Sequence, residues 1–391
     1  MTEVDDMSEE SRTDILVIGA GPAGLGAGLG ALERGVRVLV VERQKSVGDT
    51  IKGETIHFNP EMEAILGKGF FDRNTIAVTT RRRYYSPTDS RWIDRVIDDP
   101  NLIFEWPAFM GDMTALARAK GLPIDFSTEV IDLLVEGGRV AGARVKQGKK
   151  TREITAQVVV GADGTEGITS RALEIGRGKI DCPILKLRVE NMRYPDIRLE
   201  YFTHIHRGDP PAVGYIFPSG EGRADVGLLI FKPNAPRGIP IPDAATIDEF
   251  LGGFIGKHPV FRERMTGTKE TYRLFTIIPM GGFIDRFVAA RGIVMVGDSA
   301  GQVEAKGGSG IASSFLIGHH VGKILGRDSK KGISWETRDM NRLEAEIKTH
   351  PIYAKVASYY RYIRPIRSLM FMIHSAETAD RRFGLISKVL R

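Results

Sequence analysis

The chain lacks the residues that would build several kinds of protein. Cys182 is the only cysteine in 391 residues, so no intrachain disulfide can close and no cysteine-ligated iron–sulfur cluster can form. A cytoplasmic, reducing setting is the expectation that follows. No apolar run approaches the roughly 20 residues that a membrane-spanning helix needs, which leaves peripheral contact at the inner face of a membrane. The opening MTEVDDMSEE is acidic and polar, the reverse of a secretory signal, and residues 1–11 read as a disordered leader. No internal repeat is present. No recognition-helix, zinc-finger or RNA-binding motif accompanies the net charge of +6. Among anionic partners, phosphates and acidic lipid surfaces are therefore favoured and nucleic acid is not. No metal-ligand set is legible either: His319 and His320 would point about 100° apart on a helix, without a carboxylate at ligand spacing.

What is present fits two packed lobes: 42% of residues are hydrophobic and 27% charged, and the 45 glycines cluster at motif-like places. Asp14–Ile18 reads as a strand, the stretch to Arg34 as a helix closed by Gly35, and Val36–Val41 as a second buried strand. That order implies a right-handed parallel crossover. Further strands are expected around Ile124–Val145 and Ile154–Val160, with Gly137-Gly138 as a hairpin turn. Between Cys182 and Thr276 the alternating segments Arg198–Ile205, Ala212–Phe217 and Ala224–Phe231 predict an antiparallel sheet. Gly292–Gly297 reads as a strand returning to the first domain, followed by a helix over Ile311–Leu325. The expected fold is α/β: a discontinuous Rossmann-like domain (12–80, 101–181 and 276–330) and an antiparallel-sheet substrate domain (81–100 and 182–275). A basic, aromatic helical region (331–391) follows.

Three motifs carry the chemistry. Gly19-Ala-Gly21-Pro22-Ala23-Gly24 follows the first strand and opens a helix. Its glycines suit a tight turn and close approach to a pyrophosphate, at the positive end of a helix dipole. Glu42 ends the second strand about 20 residues on, where a carboxylate can accept both ribose hydroxyls. A dinucleotide follows from this, but FAD and NAD share the fingerprint. The strand-end turns at Gly161-Ala-Asp163-Gly164 and Gly297-Asp298-Ser-Ala-Gly301 supply further acids for a ribityl chain, in an order that points to FAD.

These motifs, in this order, resemble the flavoproteins of the para-hydroxybenzoate hydroxylase fold. They are more closely similar to the geranylgeranyl reductase family, which reduces isoprenoid double bonds with FAD. The resemblance covers about residues 12–325 and is closest at Gly297-Asp-Ser-Ala-Gly-Gln-Val, Gly307-Gly308-Ser-Gly310-Ile311 and Tyr215-Ile-Phe217-Pro218-Ser-Gly220. It implies that Ala23, Glu42, Val130, Asp298, Gly310 and Ile311 contact FAD, with Arg43, Gly53, Asp163 and Gly308 beside them. Tyr215, Phe217, Pro218 and Gly220 would lie against flavin and substrate. Many members carry a cysteine after the ribose-binding acid, where this chain has Ile51-Lys52-Gly53-Glu54-Thr55, and an arginine where it has Trp106.

Reduced flavin delivers hydride, so a protein group must supply the proton when carbon is reduced. Tyr215 is the candidate proton donor or substrate-positioning residue, and His57 and Glu54 are candidate relays. The implied partners are an apolar isoprenoid or lipid and, as electron donor, NAD(P)H or a ferredoxin-like protein. Two other functions fit the same cofactor: a monooxygenase or halogenase acting on an aromatic, and electron transfer to a quinone. Against halogenation, Trp92, Trp106 and Trp335 are scattered and no Trp-x-Trp-x-Ile-Pro segment occurs.

Overall fold

The computed structural model describes residues 11–165, 167–173, 181–232, 238–280, 287–288, 290–304, 310–358, 380 and 383. In the first third of the chain, β1 (Ser11–Ile18) leads into α1 (Pro22–Leu32) and β2 (Val38–Val41). Then come β3 (Thr55–His57), α2 (Pro60–Leu66), α3 (Phe70–Asn74) and the long pair β4 (Thr75–Tyr85) and β5 (Trp92–Phe104). α4 (Trp106–Ala119), β6 (Ile124–Asp125), β7 (Thr128–Glu136), β8 (Arg139–Gln147), β9 (Lys150–Gly161) and α5 (Ile168–Ala172) return to the first domain. The second lobe follows as β10 (Asp181–Glu190), β11 (Leu199–His204), β12 (Ala212–Gly220), β13 (Arg223–Ile230), α6 (Ile247–Lys257), α7 (Pro259–Met265) and β14 (Lys269–Pro279). β15 (Ile293–Met295), a 3₁₀ turn (Gly297–Ala300), α8 (Ile311–Lys330) and α9 (Met340–Ile347) complete the described elements.

Two sheets organise these elements. The first is seven-stranded, in the order β6-β2-β1-β9-β8-β7 with β15 on β9. β1 is parallel to both β2 and β9, and β15 is parallel to β9. Ile15, Leu16, Val17 and Val158–Val160 are fully buried, as a parallel strand covered on both faces must be. The β7–β8 hairpin turns at Gly137 (φ 54°) and Gly138 (φ 76°), a turn that needs positive φ at both positions.

α1 and α8 lie across this sheet side by side and in the same direction, in contact backbone to backbone. A Cβ on Gly26 would come within 2.1 Å of the Phe315 carbonyl oxygen, and one on Gly322 within 2.0 Å of that of Ala27. Glycine therefore sets how closely the two helices pack, and both N-termini face the same end of the sheet.

The second sheet has eight strands in the order β14-β10-β13-β12-β11-β4-β5-β3. It takes in β4 and β5 over their whole lengths and, beside β5, the short β3 at Thr55–His57. Residues 276–279, expected in the first domain, pair with β10 as part of β14. Alternation sorts its side chains. Leu185, Leu187, Phe202, Ile216, Val226 and Leu228 pack under Leu251, Phe254 and Phe261 of α6 and α7. The residues between them in sequence, including Tyr201, Tyr215 and Phe217, occupy the other face.

Candidate active site

The three motifs meet at the N-terminus of α1. Gly19 has φ 101°, and a Cβ there would lie 2.6 Å from the Ala162 carbonyl oxygen, so the first motif is pressed against the second. A Cβ on Gly24 would fall 1.8 Å from the Gly19 carbonyl oxygen, which makes this glycine the condition for α1 to seat on β1. Gly21 differs from both: it is the N-cap of α1, with Pro22 following, and nothing lies within 4 Å of a Cβ built on it. Open space over a helix N-terminus with unpaired N–H groups is what a pyrophosphate requires. The third motif closes in from the far side, where a Cβ on Gly297 would stand 2.7 Å from the Ala23 Cβ.

Glu42 sits at the edge of this turn. Its carboxylate accepts from the backbone N–H of Ala20 at 2.8 Å and of Gln44 at 2.9 Å. The Glu42 carbonyl accepts from Thr128 N–H, and Val130, two residues on, packs with Val41 and Ile18. Val130 and Glu42 thus share one end of the sheet, and Arg43 beside them is exposed.

At the other end, Asp298 lies 3.7 Å from a Cβ on Gly310, the N-cap of α8. Burial raises its carboxyl pKa, against the pull of Lys52 and Lys186. No described side chain hydrogen-bonds to it. Gly53 is wedged beneath the same helix, where a Cβ would meet Ile311 at 2.6 Å and Trp106 at 2.7 Å. The Trp106 indole N–H and the Gln302 side-chain amide N–H are both buried without a partner. Unsatisfied donors and an unpaired acid around an open glycine turn fit a polar cofactor with phosphates, hydroxyls and ring carbonyls. Glu42, Gly21, Ala23, Asp298, Gly310 and Ile311 are the residues that would hold FAD.

Not every expected residue faces that space. Both carboxylate oxygens of Asp163 are engaged by Thr169, with its N–H at 2.9 Å and its hydroxyl at 2.5 Å, so this side chain caps α5. Gly308 lies outside the described residues.

The proposed catalytic residues divide. Glu54 is 8% exposed and receives the Lys186 ammonium at 2.6 Å and the Tyr215 hydroxyl at 3.2 Å. Lys186 also donates to the Lys52 carbonyl at 2.7 Å. Register explains the meeting: Lys186 on β10 and Tyr215 on β12 both pair with Gly227 of β13. A Cβ on Gly227 would overlap the Tyr215 ring at 2.0 Å, so glycine there lets the phenol lie flat across the sheet and reach Glu54. Burial first, then the charge of Glu54, raises the Tyr215 pKa far above its usual value. The phenol keeps its proton.

His57 does not join this group. Its Nε2 faces Arg82 and Asn101, each at 3.3 Å, and its Nδ1 faces the Pro100 carbonyl at 3.1 Å. That anchors it on the β4–β5 ribbon.

One row along the sheet, Phe217 and Arg188 both pair with Asp225. Phe217 stacks on Tyr215 with centroids 4.4 Å apart, whereas buried Pro218, paired with Ala224 of the α6–α7 face, alternates to the opposite side of the sheet and does not line this wall as expected. Arg188 binds Asp225 at 3.0 Å and also Glu105. Glu54, Glu105 and Asp225 share the basic residues Lys186, Arg188 and Arg223. Burial and the nearby Glu54 push the Asp225 carboxyl up to about 6, although Arg188 opposes this. Lys186, Arg188, Asp225 and Gly227 were not read from the sequence. The available signal was charge at Lys186 and Arg188, two apart in an otherwise apolar strand, which places both on one face.

Known proteins resemble this chain in sequence and in fold. Residues 12–246 match the FAD binding domain family. The digeranylgeranylglycerophospholipid reductase of Methanosarcina acetivorans is 28% identical over 85% of this chain and 78% of its own. That of Picrophilus torridus is 25% identical over 87% and 84%. Among solved structures, a geranylgeranyl bacteriochlorophyll reductase-like protein from Thermoplasma acidophilum superposes with a TM-score of 0.81, at 20% identity, covering 97% of this chain and 92% of that one. A myxobacterial chondrochloren halogenase superposes with a TM-score of 0.70, at 17% identity, covering 97% and 91%. At these identities the structural likeness, to reductase and halogenase alike, is one of fold.

Proposed function

The chain belongs to the FAD binding domain family, and we propose that it is an FAD-dependent oxidoreductase of the geranylgeranyl reductase type that saturates carbon–carbon double bonds of an isoprenoid chain carried on a lipid. The names of its curated relatives support a digeranylgeranylglycerophospholipid as the substrate class. Reduced FAD supplies the hydride equivalent in such a reduction.

The observation that carries the reading is the buried Glu54–Lys186–Tyr215 set beside an apolar wall. Reduction at an alkene carbon needs a dry surface for the chain and a proton held within it. Tyr201, Leu199, Phe217, Ile184 and Leu229 form that wall. A proton is held at the Tyr215 hydroxyl, whereas the Asp225 carboxyl, raised to about 6 and paired with Arg188, takes one up only as pH falls towards that value. Lys186 balances the Glu54 charge, and Glu54 fixes the direction of the Tyr215 hydroxyl. In this reading Phe217 orients the chain, and NAD(P)H or a ferredoxin-like protein brings electrons from outside.

No helix among the described residues is long and apolar enough to cross a membrane. The exposed Phe58, Val78, Trp92 and Val96 (50–77% accessible) support access to lipid from a membrane surface.

The test is to incubate dithionite-reduced holoenzyme with vesicles of the unsaturated lipid and follow products by mass spectrometry. Two hydrogens should be gained per double bond. Tyr215→Phe should lower the rate by about 100-fold or more while FAD remains bound. A hydroxylated product under oxygen, or no hydrogen gain, would overturn the proposal.

A further inference from the structure

On the opposite face of the second sheet, away from Tyr215, three imidazoles converge. His204 ends β11, His206 follows two residues on, and His258 joins α6 to α7. His204 and His258 are fully buried and His206 is half-buried. One ring nitrogen from each can be chosen so that all lie within 4.8 Å of one another.

The outward nitrogens fix the protons. His204 Nε2 faces Asp209 at 2.8 Å, His258 Nδ1 faces Asp89 at 2.7 Å, and His206 Nε2 faces the Pro87 carbonyl at 2.8 Å. A carboxylate or carbonyl only accepts, so each of these nitrogens carries its ring's N–H. In the neutral rings the other nitrogens are then bare lone pairs. His204 Nδ1 and His258 Nε2 nonetheless face each other at 3.1 Å, with no proton left to place between them.

Two lone pairs aimed at one another in an aromatic pocket, with Phe250 and Phe254 against the His204 ring, call for a cation between them. Each ring also presents its far N–H to an oxygen acceptor, which is the usual support of a metal-bound histidine. Charge agrees: among the described residues, Asp89 and Asp209 face one ammonium, Lys257, which binds Asp209. Two nitrogens bonded to one tetrahedral ion at about 2.0–2.1 Å are themselves about 3.4 Å apart. The His204–His258 pair already has nearly this spacing, and a ring nitrogen of His206 lies within 4.8 Å of both.

We propose that His204, His206 and His258 form a binding site for a first-row divalent transition metal, with Zn²⁺ as the type case. The site ties β11 to the α6–α7 pair that covers the sheet. It is independent of the flavin chemistry across the sheet.

Metal analysis of the holoenzyme purified from zinc-replete cells, without an affinity tag of histidines, should give about one zinc per chain. After chelation, titration with Co²⁺ should produce d–d bands at wavelengths beyond the flavin absorption. His206→Gln, at the half-buried position, should fold, keep its FAD and weaken Co²⁺ binding at least 10-fold. Asp209→Asn should weaken it by about 10–100-fold. Substoichiometric metal together with no Co²⁺ bands would overturn the proposal, as would Co²⁺ affinity unchanged in His206→Gln. ¹⁵N spectra showing an imidazolium shared by His204 and His258 in metal-saturated solution would also overturn it, because a proton would then fill the gap.

Discussion

Replacing Lys186 by methionine removes the ammonium facing Glu54 while keeping most of the volume of the side chain. Lys186 is 6% and Glu54 8% exposed, with 2.6 Å between Nζ and Oε1, so water cannot stand in for the lost charge. Breaking a buried pair from one side costs about 3–5 kcal/mol. At about 2.1 cal/mol/K of unfolding entropy per residue, 391 residues unfolding as one unit give roughly 0.8 kcal/mol/K. Tm should therefore fall by about 4–6 °C. Adding Glu54→Gln neutralises the stranded carboxylate, and the amide oxygen still accepts from Tyr215. The double variant should recover at least about 2 kcal/mol relative to the sum of the two single changes. Calorimetry must hold free FAD constant, because a ligand that binds only the native state raises Tm by itself. Single changes that add to within about 0.5 kcal/mol would refute the claim that these two residues act as a pair.

The glycine turn gives a contrast between neighbours. Gly21→Ala should leave the stability of the FAD-free protein unchanged and weaken FAD binding in a fluorescence titration, since its Cβ enters open space. Gly24→Ala should instead destabilise the fold, because its Cβ collides with the Gly19 carbonyl. Gly227→Ala should displace the Tyr215 ring and abolish turnover with normal FAD content, measured by flavin absorbance and product mass. Asp225 binds its proton more tightly folded than unfolded. Its contribution to stability is thus complete below about pH 4 and lost as pH rises to about 6. Tm relative to Asp225→Asn should fall across that window; a rise would mean that Arg188 outweighs burial.

What could be read from the sequence was whatever the chain settles locally. Gly19 needs glycine for its own positive φ, Gly24 for the carbonyl of Gly19 five residues back, and Gly137-Gly138 specify their own turn. The alternation in β11, β12 and β13 likewise showed which residues share a face. Asp163 shows the limit of such signals. An aspartate-glycine turn at a strand end serves a ribityl hydroxyl or a helix N-terminus with the same atoms, and here Thr169, six residues on, takes both oxygens. His57 was expected as a proton relay, whereas a three-residue strand pairing with β5 turns it to Arg82 and Asn101. Lys186 was invisible as a site residue because its partner, Glu54, lies 132 residues away. His204 and His206 carried an alternating signal, but the third ring comes from position 258, on an element with no sequence link to β11.

The segment from Ile51 to Glu54 joins the two chemistries. Ile51 donates its N–H to the Tyr272 hydroxyl of β14 at 2.9 Å. The Lys52 ammonium lies 3.4 Å from a Cβ on Gly164, at the second motif, while its carbonyl receives Lys186. Gly53 has room for no side chain between Trp106 and Ile311, and Glu54 receives Tyr215 and Lys186. Four consecutive residues therefore join the walls of the cofactor space, met by Lys52 and Gly53, to the sheet that carries Tyr215 and Lys186, met by Ile51 and Glu54. A backbone held at both ends, with no side-chain slack at Gly53, transmits displacement rather than absorbing it. The distance from the start of α8 to the Tyr215 hydroxyl is then set by one short stretch of chain. This is the physical reason that a cofactor domain and a separately folded sheet can act as one site.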